Sequence, residues 1–196
     1  MSETTAKRPD YLVLVNEKNR LPDGFEETVE LVSGKNCVGD QFVIEKKTYE
    51  AFCRLQEDLL KNDGIETVLF EAHRTVKRQE ETFEGFIKAF GLDYAKKYVA
   101  IPGCSEHHTG LAVDVGILSE GKLYRTHEEI FSIPHLYKTV HEKLPKYGFI
   151  LRYPASKESV TKISYEPWHF RYIDSPEIAQ EITDKGLSFE EYWQTL

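Results

Sequence analysis

Residues 104–116 read Cys-Ser-Glu-His-His-Thr-Gly-Leu-Ala-Val-Asp-Val-Gly. The stretch opens with small and polar side chains, can turn at Gly110, and continues as an apolar strand that contains Asp114. A carboxylate inside an apolar strand costs free energy unless it is paired or binds a metal ion. Two imidazoles, those of His107 and His108, lie just upstream. The simpler alternative is a turn with two surface histidines and a hydrogen-bonded aspartate.

The alternation of side chains along an extended chain indicates which of these groups converge. Ser105 and His107 would share one face, opposite His108. In the strand that follows, Asp114 would lie opposite two core-facing valines and beside small residues that leave room near its carboxylate. Because Gly110 permits a bend, we expect His107 and Asp114 to converge.

Residues 166–172 form a second polar segment, which reads Glu-Pro-Trp-His-Phe-Arg-Tyr. Its aromatic residues alternate with His169 and Arg171, which predicts a strand with an aromatic core face and His169 on the side of the site. Pro167 restricts Glu166 to an extended conformation. The alternative is an aromatic strand with a hydrogen-bonded histidine and no ligand.

Together the two segments predict a zinc site. Two imidazoles and one carboxylate, those of His107, His169 and Asp114, make a catalytic Zn²⁺ ligand set with an open fourth position for water. Glu166 is left as a free carboxylate beside that water, which is the position of a general base. We expect one Zn²⁺ per chain.

Arg74 follows the predicted strand at residues 67–72. An arginine at a strand end is suited to bind a carboxylate group through a bidentate pair of hydrogen bonds. The alternative is a surface salt bridge. Gln79 follows on a predicted helix, where it could line the same region or face solvent.

The remaining patterns predict an α+β fold. Strands are predicted at 11–15, 29–32, 42–44, 67–72, 111–117, 148–151 and 168–173. Helices are predicted at 48–60, with Thr48 as the capping residue, at 76–90, 92–98, 127–131 and 136–144, and after Ser175 and Ser188; residues 156–161 are predicted to form a polar loop. Hairpin-like connections, such as the turn at 119–122, favour a mostly antiparallel central sheet flanked by helices. We expect a flexible tail at 1–10 and a single domain at 11–196.

The overall composition argues against several classes of partner. The 196 residues carry a net charge of −8 and no basic cluster, so we expect no nucleic-acid partner. Three cysteines, Cys37, Cys53 and Cys104, form neither a disulfide framework nor a Cys-x-x-Cys motif.

No segment is apolar enough to span a bilayer. Residues 1–10 lack the apolar run of a signal peptide, so we expect a cytoplasmic protein, or an exported one if the sequence has been trimmed. Oligomeric state does not follow from these patterns.

Both polar segments resemble those of the VanY/LdcB D-alanyl-D-alanine carboxypeptidase family, zinc peptidases related to VanX and VanXY. The motifs that carry this resemblance are Ser105-x-His107-x-x-Gly110-x-Ala112-x-Asp114 and Glu166-x-Trp168-His169. Further similar segments, which together span nearly the whole chain, are Leu14-Val15-Asn16-Glu17-Lys18-Asn19, Leu21-Pro22, Arg74-Thr75-x-x-x-Gln79 and Leu151-Arg152-Tyr153-Pro154. One departure precedes Arg74, where Glu71-Ala72-His73 replaces the family's Ser-Gly-Tyr and bears on the adjacent pocket wall.

The resemblance implies a hedgehog/DD-peptidase-like fold and an enzyme that removes the C-terminal D-alanine from peptidoglycan stem peptides or their precursors. The implied zinc ligands are His107, Asp114 and His169, without His108. The implied catalytic groups are Glu166, as the base, and Arg74, which would bind the C-terminal carboxylate of the peptide. The residues implied to line the pocket are Ser105, Gln79 and Tyr153.

Several alternatives remain open at this stage. An L,D-carboxypeptidase acting on tetrapeptides and a D,D-dipeptidase would share the metal site. A non-catalytic zinc module that binds cell-wall peptides would not need Glu166 beside the metal. A serine peptidase is suggested only by an isolated Ser159-x-x-Lys162 motif. His127-Glu128 and His141-Glu142 do not complete the His-Glu-x-x-His zinc motif, and we expect them on helix surfaces.

Overall fold

The strands form a five-stranded sheet and a separate hairpin in the computed structural model, which describes residues 10–196. In chain order they are β1 (Leu31–Lys35), β2 (Gln41–Glu45), β3 (Glu66–Glu71), β4 (Ala112–Ser119), β5 (Lys122–Tyr124), β6 (Phe149–Leu151) and β7 (His169–Tyr172). The hairpin is β1 with β2, and the sheet has the order β3-β4-β7-β6, with β5 also paired to β4. Every pairing is antiparallel, which confirms the predicted α+β class.

The helices lie between and after these strands. In chain order they are α1 (Lys46–Asp63), α2 (Val76–Phe90), α3 (Leu92–Tyr98), α4 (His127–Phe131), α5 (Pro134–Lys143), α6 (Glu158–Thr161), α7 (Pro176–Asp184) and α8 (Phe189–Trp193). Within residues 10–196, none of them combines the length and the apolar character that a membrane crossing requires.

β4 is the central strand, since β3, β5 and β7 all pair with it. Val113 and Val115 point from β4 into the main apolar core, where neither keeps any exposed surface. Burial of side chains of this size stabilises the fold by roughly 1.5–3 kcal/mol each. Because side chains alternate along a strand, Asp114 is directed to the opposite face, and the register of β4 with β7 places it directly across from His169.

The small residue at position 116 has a different role from the predicted one. A Cβ added at Gly116 would lie 2.9 Å from the carbonyl oxygen of Tyr124 in β5. The glycine therefore allows β5 and the chain after it to approach β4 closely. The position that a side chain at residue 116 would occupy is thus next to β5.

Helix α1 begins earlier than predicted because its capping residue is Glu45, not Thr48. The Glu45 carboxylate accepts hydrogen bonds from the backbone N–H and the hydroxyl of Thr48, each at 2.8 Å. An anionic oxygen at this end satisfies a free backbone N–H and interacts favourably with the helix dipole. The helix ends as expected before Gly64, which adopts a left-handed conformation with φ of 68°.

The predicted strand at residues 11–15 is absent from the described structure, although Val13, Leu14 and Val15 are buried. Nη2 of Arg171 donates hydrogen bonds to the carbonyl oxygens of Tyr11 and Val13, both at 2.9 Å. A side chain thus binds carbonyls that a neighbouring strand would otherwise bind.

Residues 156–161 differ from their predicted structure, and most of the predicted tail lies outside the described part of the chain. The polar loop predicted at 156–161 contains the short helix α6, so that assignment was wrong. The flexible tail predicted at 1–10 falls, except for Asp10, outside the described residues.

Candidate active site

Three side chains from separate elements meet at one end of the central sheet. His107 lies in a 3₁₀ turn, Glu106–Thr109, while Asp114 and His169 are cross-strand neighbours on β4 and β7. Nε2 of His107 is 3.3 Å from Oδ2 of Asp114, and Nδ1 of His169 is 3.0 Å from Oδ1. One ligand atom from each residue lies within 4.8 Å of the others, and all three residues are buried.

The backbone fixes the orientation of His107. Its Nδ1 lies 2.7 Å from the carbonyl oxygen of Ala72, which can only accept a hydrogen bond. Nδ1 therefore carries the proton, and Nε2 is left as an electron-pair donor facing Asp114.

His108 does not join this group. Its Nδ1 donates to the carbonyl oxygen of Arg74 at 2.6 Å, and its Nε2 accepts from the N–H of Gly103 at 3.1 Å. Both ring nitrogens are thus used in holding loops together. The predicted separation of His107 from His108 is correct, but the alternation argument behind it was wrong because the segment is a 3₁₀ turn and not extended chain.

The donor set fits a zinc ion. Zn²⁺ is bound in proteins by imidazole nitrogens and carboxylate oxygens in small ligand sets of this kind. Burial raises the pKa of Asp114, but His107 and His169 outweigh it and hold this pKa well below its usual range. Burial lowers the pKa of His169, but the carboxylates around it prevail and raise this pKa to about 9. The surrounding carboxylates therefore favour positive charge at this point, which is what a divalent cation provides.

Glu166 stands beside the proposed ligands, in the turn before β7. Its Oε2 lies 3.6 Å from Nδ1 of His169, and its N–H donates to the carbonyl oxygen of Tyr153 at 3.2 Å. Burial raises the pKa of Glu166 to about 8, against the lowering effects of His169 and Arg74.

All eight residues singled out from the sequence line one cavity of about 200 Å³; they are Arg74, Gln79, Ser105, His107, Asp114, Tyr153, Glu166 and His169. Pockets for drug-sized ligands usually measure roughly 300–1,000 Å³. The cavity is therefore of a size to take the end of a peptide and not a whole stem. Thr82 and Phe86 also line it and were missed, although their spacing from Gln79 on α2 places them on the same helix face.

Arg74 sits just before α2, whose N-terminal cap is Thr75. Nη1 of Arg74 donates to Oε1 of Gln79 at 2.9 Å, and Nη2 lies 3.4 Å from a carboxylate oxygen of Glu71. The Nε of Arg74 is buried and has no acceptor among residues 10–196. Gln79 is only 1% exposed and donates to the carbonyl oxygen of Ala100 at 2.7 Å, so it does not belong to a solvated helix face.

The segment Glu71-Ala72-His73, which departs from the family pattern, lies mostly outside the candidate site. Glu71 and His73 line a separate cavity with the β1–β2 hairpin, and Ala72 contributes its carbonyl to His107. Apart from the long contact between Glu71 and Arg74, this segment does not form the wall of the candidate site.

The other sequence motifs lie away from this chemistry. Ser159 is exposed, and Nζ of Lys162 donates to its backbone carbonyl and not to its hydroxyl. His127 is exposed, as expected. His141 was wrongly placed on a helix surface: it is half-buried, and its Nε2 donates to the carbonyl oxygen of Pro167 at 2.7 Å. Cys104 is buried.

A buried charge cluster behind the site was also missed. Glu106, Arg152, Arg171 and Glu190 form it, and the first three are at most 1% exposed. The only sequence signal for it is that two arginines and a glutamate occur within otherwise apolar or motif-bearing stretches.

The VanY family, described as D-alanyl-D-alanine carboxypeptidase, matches residues 41–175. The chain is 41% identical over 143 residues to the bifunctional D-Ala-D-Ala dipeptidase and D-Ala-D-Ala carboxypeptidase VanXYC of Enterococcus gallinarum, which covers 69% of this chain and 72% of that protein.

Solved structures show the same similarity. The LdcB LD-carboxypeptidase, whose structure concerns peptidoglycan recognition, is 35% identical with a TM-score of 0.78, over 92% of this chain and 84% of that chain. A mutant of the D,D-pentapeptidase VanY from a VanB-type resistance cassette, in complex with Zn(II), is 30% identical with a TM-score of 0.74, over 93% of this chain and 98% of that chain.

Proposed function

Because the chain belongs to the VanY family of D-alanyl-D-alanine carboxypeptidases, we propose that it is a zinc-dependent hydrolase that removes the C-terminal D-alanine from peptidoglycan stem peptides or their precursors. One observation carries the proposal. The His107–Asp114–His169 cluster, a buried glutamate and an arginine whose Nε has no acceptor among residues 10–196 share a single small cavity. A binding module would need the cation and the arginine, but not Glu166 beside them.

Arg74 is the proposed binding group for the terminal carboxylate of the substrate. Its side chain is 13% exposed and lines the cavity, and its buried Nε has no acceptor among the described residues, so the guanidinium group is not fully paired. The 3.4 Å contact with Glu71 is long for a charge-assisted hydrogen bond and can be exchanged for a substrate carboxylate. Gln79 holds the guanidinium group from the other side through Nη1. An arginine fixed in this way selects the end of a peptide and sets which bond reaches the ligand cluster.

Glu166 is the proposed general base. It accepts a proton from the attacking water while the water oxygen bonds to the scissile carbonyl carbon, and it passes that proton to the leaving nitrogen as the C–N bond breaks. The distance of 3.6 Å between its Oε2 and Nδ1 of His169 supports a role beside the proposed ligands and not as one of them. When bound, zinc supplies Lewis acidity that polarises the carbonyl and lowers the pKa of water to about 7.

The remaining proposed roles belong to the cavity walls. Ser105 and Tyr153 are buried, and both line the cavity. The ring of Tyr153 lies 4.9 Å from that of His169, centroid to centroid. We assign these two side chains to the pocket for the terminal residue, where a small volume suits the methyl group of alanine.

A second specificity is favoured by a specific observation. The similarity to the LdcB LD-carboxypeptidase is as extensive as the similarity to the D,D-enzymes. An L,D-carboxypeptidase acting on tetrapeptides would use the same ligands, base and arginine. A D,D-dipeptidase activity is the third possibility, since the relative VanXYC is named as bifunctional.

Product analysis by mass spectrometry distinguishes these activities. The zinc-loaded protein is incubated with a pentapeptide ending in D-Ala-D-Ala, with a tetrapeptide and with free D-Ala-D-Ala, and Glu166→Gln serves as the control. We expect one D-alanine to be released from the pentapeptide by the parent only. If D-alanine is released from the tetrapeptide alone, the enzyme is an L,D-carboxypeptidase and not a D,D-carboxypeptidase. If the free dipeptide alone is cleaved, the enzyme is a D,D-dipeptidase. No product from any substrate by zinc-bound protein would favour the binding module.

A further inference from the structure

Glu106 is a buried carboxylate whose two oxygens have different surroundings. Oε1 accepts hydrogen bonds from Nε of Arg152 at 2.8 Å and from Nη1 of Arg171 at 2.9 Å. Two buried guanidinium groups thus balance the charge of this carboxylate and fix its orientation from the Oε1 side.

The second oxygen faces a candidate metal ligand. Oε2 of Glu106 lies 3.9 Å from Nε2 of His169. Both atoms are buried, and neither has a hydrogen-bond partner among residues 10–196. A buried donor and a buried acceptor left unpaired are each costly, and a displacement of about 1 Å would join them in a hydrogen bond of ordinary length.

The chemistry of imidazole gives this pair a purpose. A nitrogen that binds a metal must be unprotonated, so the ring's proton resides on the other nitrogen, and the acceptor of that proton fixes which nitrogen is free. For His107 the acceptor is the backbone carbonyl of Ala72, which leaves Nε2 toward Asp114. For His169 the nitrogen that faces Asp114 is Nδ1, so the acceptor must lie at Nε2, where Glu106 stands.

We propose that Glu106 is a positioning residue for the metal, which accepts the Nε2 proton of His169 and thereby leaves Nδ1 free to bind zinc. The inference rests on the ligand set of the proposed function. It assigns a purpose to the buried arginines as well: they hold the carboxylate in place and balance its charge. Glu106 touches neither the cavity nor, on this assignment, the substrate.

Both arginines also have hydrogen-bond partners other than Glu106. Arg152 is held by two hydrogen bonds to Glu190 in α8, at 2.9 and 2.6 Å. Arg171 is held by the carbonyls of Tyr11 and Val13. Arg171 contacts Oε1 of Glu106 independently of Arg152 and Glu190, so it keeps the carboxylate oriented toward His169 when Glu190 is changed.

The matched variants are Glu106→Gln and Glu190→Gln. Each replaces one buried carboxylate that accepts from Arg152, but only Glu106 faces His169. In Glu106→Gln the arginines attract the amide oxygen, so the NH₂ group turns toward Nε2 of His169. A donor then faces a donor, and the ring is driven toward the tautomer that protonates Nδ1.

The measurement is the zinc dissociation constant, obtained by competition with a chromophoric chelator, together with the absorption spectrum of the Co²⁺-substituted protein. We expect Glu106→Gln to weaken zinc binding by about 10–100-fold and to alter the Co²⁺ spectrum. Because Glu190 does not face His169, Glu190→Gln should change zinc affinity by less than about 3-fold, well below the effect of losing the partner of a ligand. Equal affinity in the parent and Glu106→Gln, or an equal loss in both variants, would overturn the inference. A parent that binds no zinc would overturn the proposed function with it.

The zinc-loaded parent provides a test that does not depend on the folding of a variant. Nitrogen-15 NMR of the histidine side chains identifies which ring nitrogen of His169 carries the proton. Protonation at Nε2 supports the inference, and protonation at Nδ1 overturns it.

Discussion

The imidazole rings of His107 and His169 lie 4.8 Å apart, centroid to centroid, with an angle of 76° between their planes. They present different nitrogens, Nε2 and Nδ1, to the two oxygens of Asp114. The arrangement depends on two backbone features: the β4–β7 register sets His169 against Asp114, and the carbonyl of Ala72 turns the ring of His107. Two of the three proposed cation ligands, Asp114 and His169, thus lie on paired strands, which place side chains more rigidly than loops do.

Arg74 is expected to control substrate binding. Arg74→Gln removes two charge-assisted hydrogen bonds to the terminal carboxylate, and each such bond contributes roughly 1.5–3 kcal/mol. We therefore expect kcat/KM for a pentapeptide to fall by about 10²-fold or more. Arg78→Gln is the matched control, because Arg78 contacts the same Glu71 at 3.2 Å but is exposed and lies outside the cavity. Steady-state kinetics that show equal losses in the two variants would remove Arg74 from its assigned role.

Glu166 is expected to be needed for turnover and not for zinc. Glu166→Gln keeps the shape of the side chain but cannot accept the proton, so we expect kcat to fall by about 10²–10⁴-fold while zinc content stays unchanged. Glu128→Gln, at an exposed position on α4, should match the parent. Near-parental turnover by Glu166→Gln would show that another group is the base.

His141 is expected to make the fold sensitive to acid. Burial lowers the pKa of His141, against the raising effect of its hydrogen bond to the carbonyl of Pro167. The unfolded chain has the ordinary pKa of about 6.5, so below that pH the unfolded state binds a proton that the folded state does not, and stability falls. This group accounts for up to about 1.4 kcal/mol per pH unit in that range.

Urea unfolding of the zinc-free protein at several pH values below 6.5 measures the effect. His141→Gln retains a donor for Pro167 and does not titrate, so its free energy of unfolding should fall less steeply with acid than that of the parent. His135→Gln, at an exposed position on the same helix, should follow the parent. Identical slopes for His141→Gln and the parent would contradict this assignment.

Much of this arrangement follows from local patterns in the sequence. The alternation of Trp168, Phe170 and Tyr172 with polar residues correctly predicts β7, and Phe170 and Tyr172 do pack in the core. The apolar run after Gly110 correctly predicts β4. Such features depend on side-chain periodicity and on turn chemistry, which a single segment contains.

The features that could not be predicted from the sequence depend on contacts between distant segments. Glu106 meets Arg152 and Arg171 across 46 and 65 positions, and no periodicity links them. Residues 11–15 have the composition of a strand, but the guanidinium group of Arg171 takes two of their carbonyls. Thr48 is not the cap of α1 because the helix already begins at Lys46, and the N–H and hydroxyl of Thr48 both donate to the carboxylate of Glu45.

Two glycines test the packing of the fold independently of its chemistry. Gly116→Ala places a methyl group 2.9 Å from the carbonyl oxygen of Tyr124, so we expect the free energy of unfolding to fall by about 1–3 kcal/mol. Gly85→Ala, at an open position inside α2, should raise it by up to about 1 kcal/mol. Denaturant titration gives both values, and a Gly116→Ala protein as stable as the parent would contradict the described approach of β5 to β4.

Metal analysis of the purified protein tests the central claim most directly, since the claim is that His107, Asp114 and His169 bind one zinc ion per chain. We predict one equivalent of zinc after gel filtration for the parent and for His127→Ala, which alters an exposed histidine. Asp114→Asn, which removes the shared carboxylate, should retain well under half an equivalent, because loss of a ligand weakens zinc binding strongly. A full equivalent of zinc in Asp114→Asn, or none in the parent, would contradict the account.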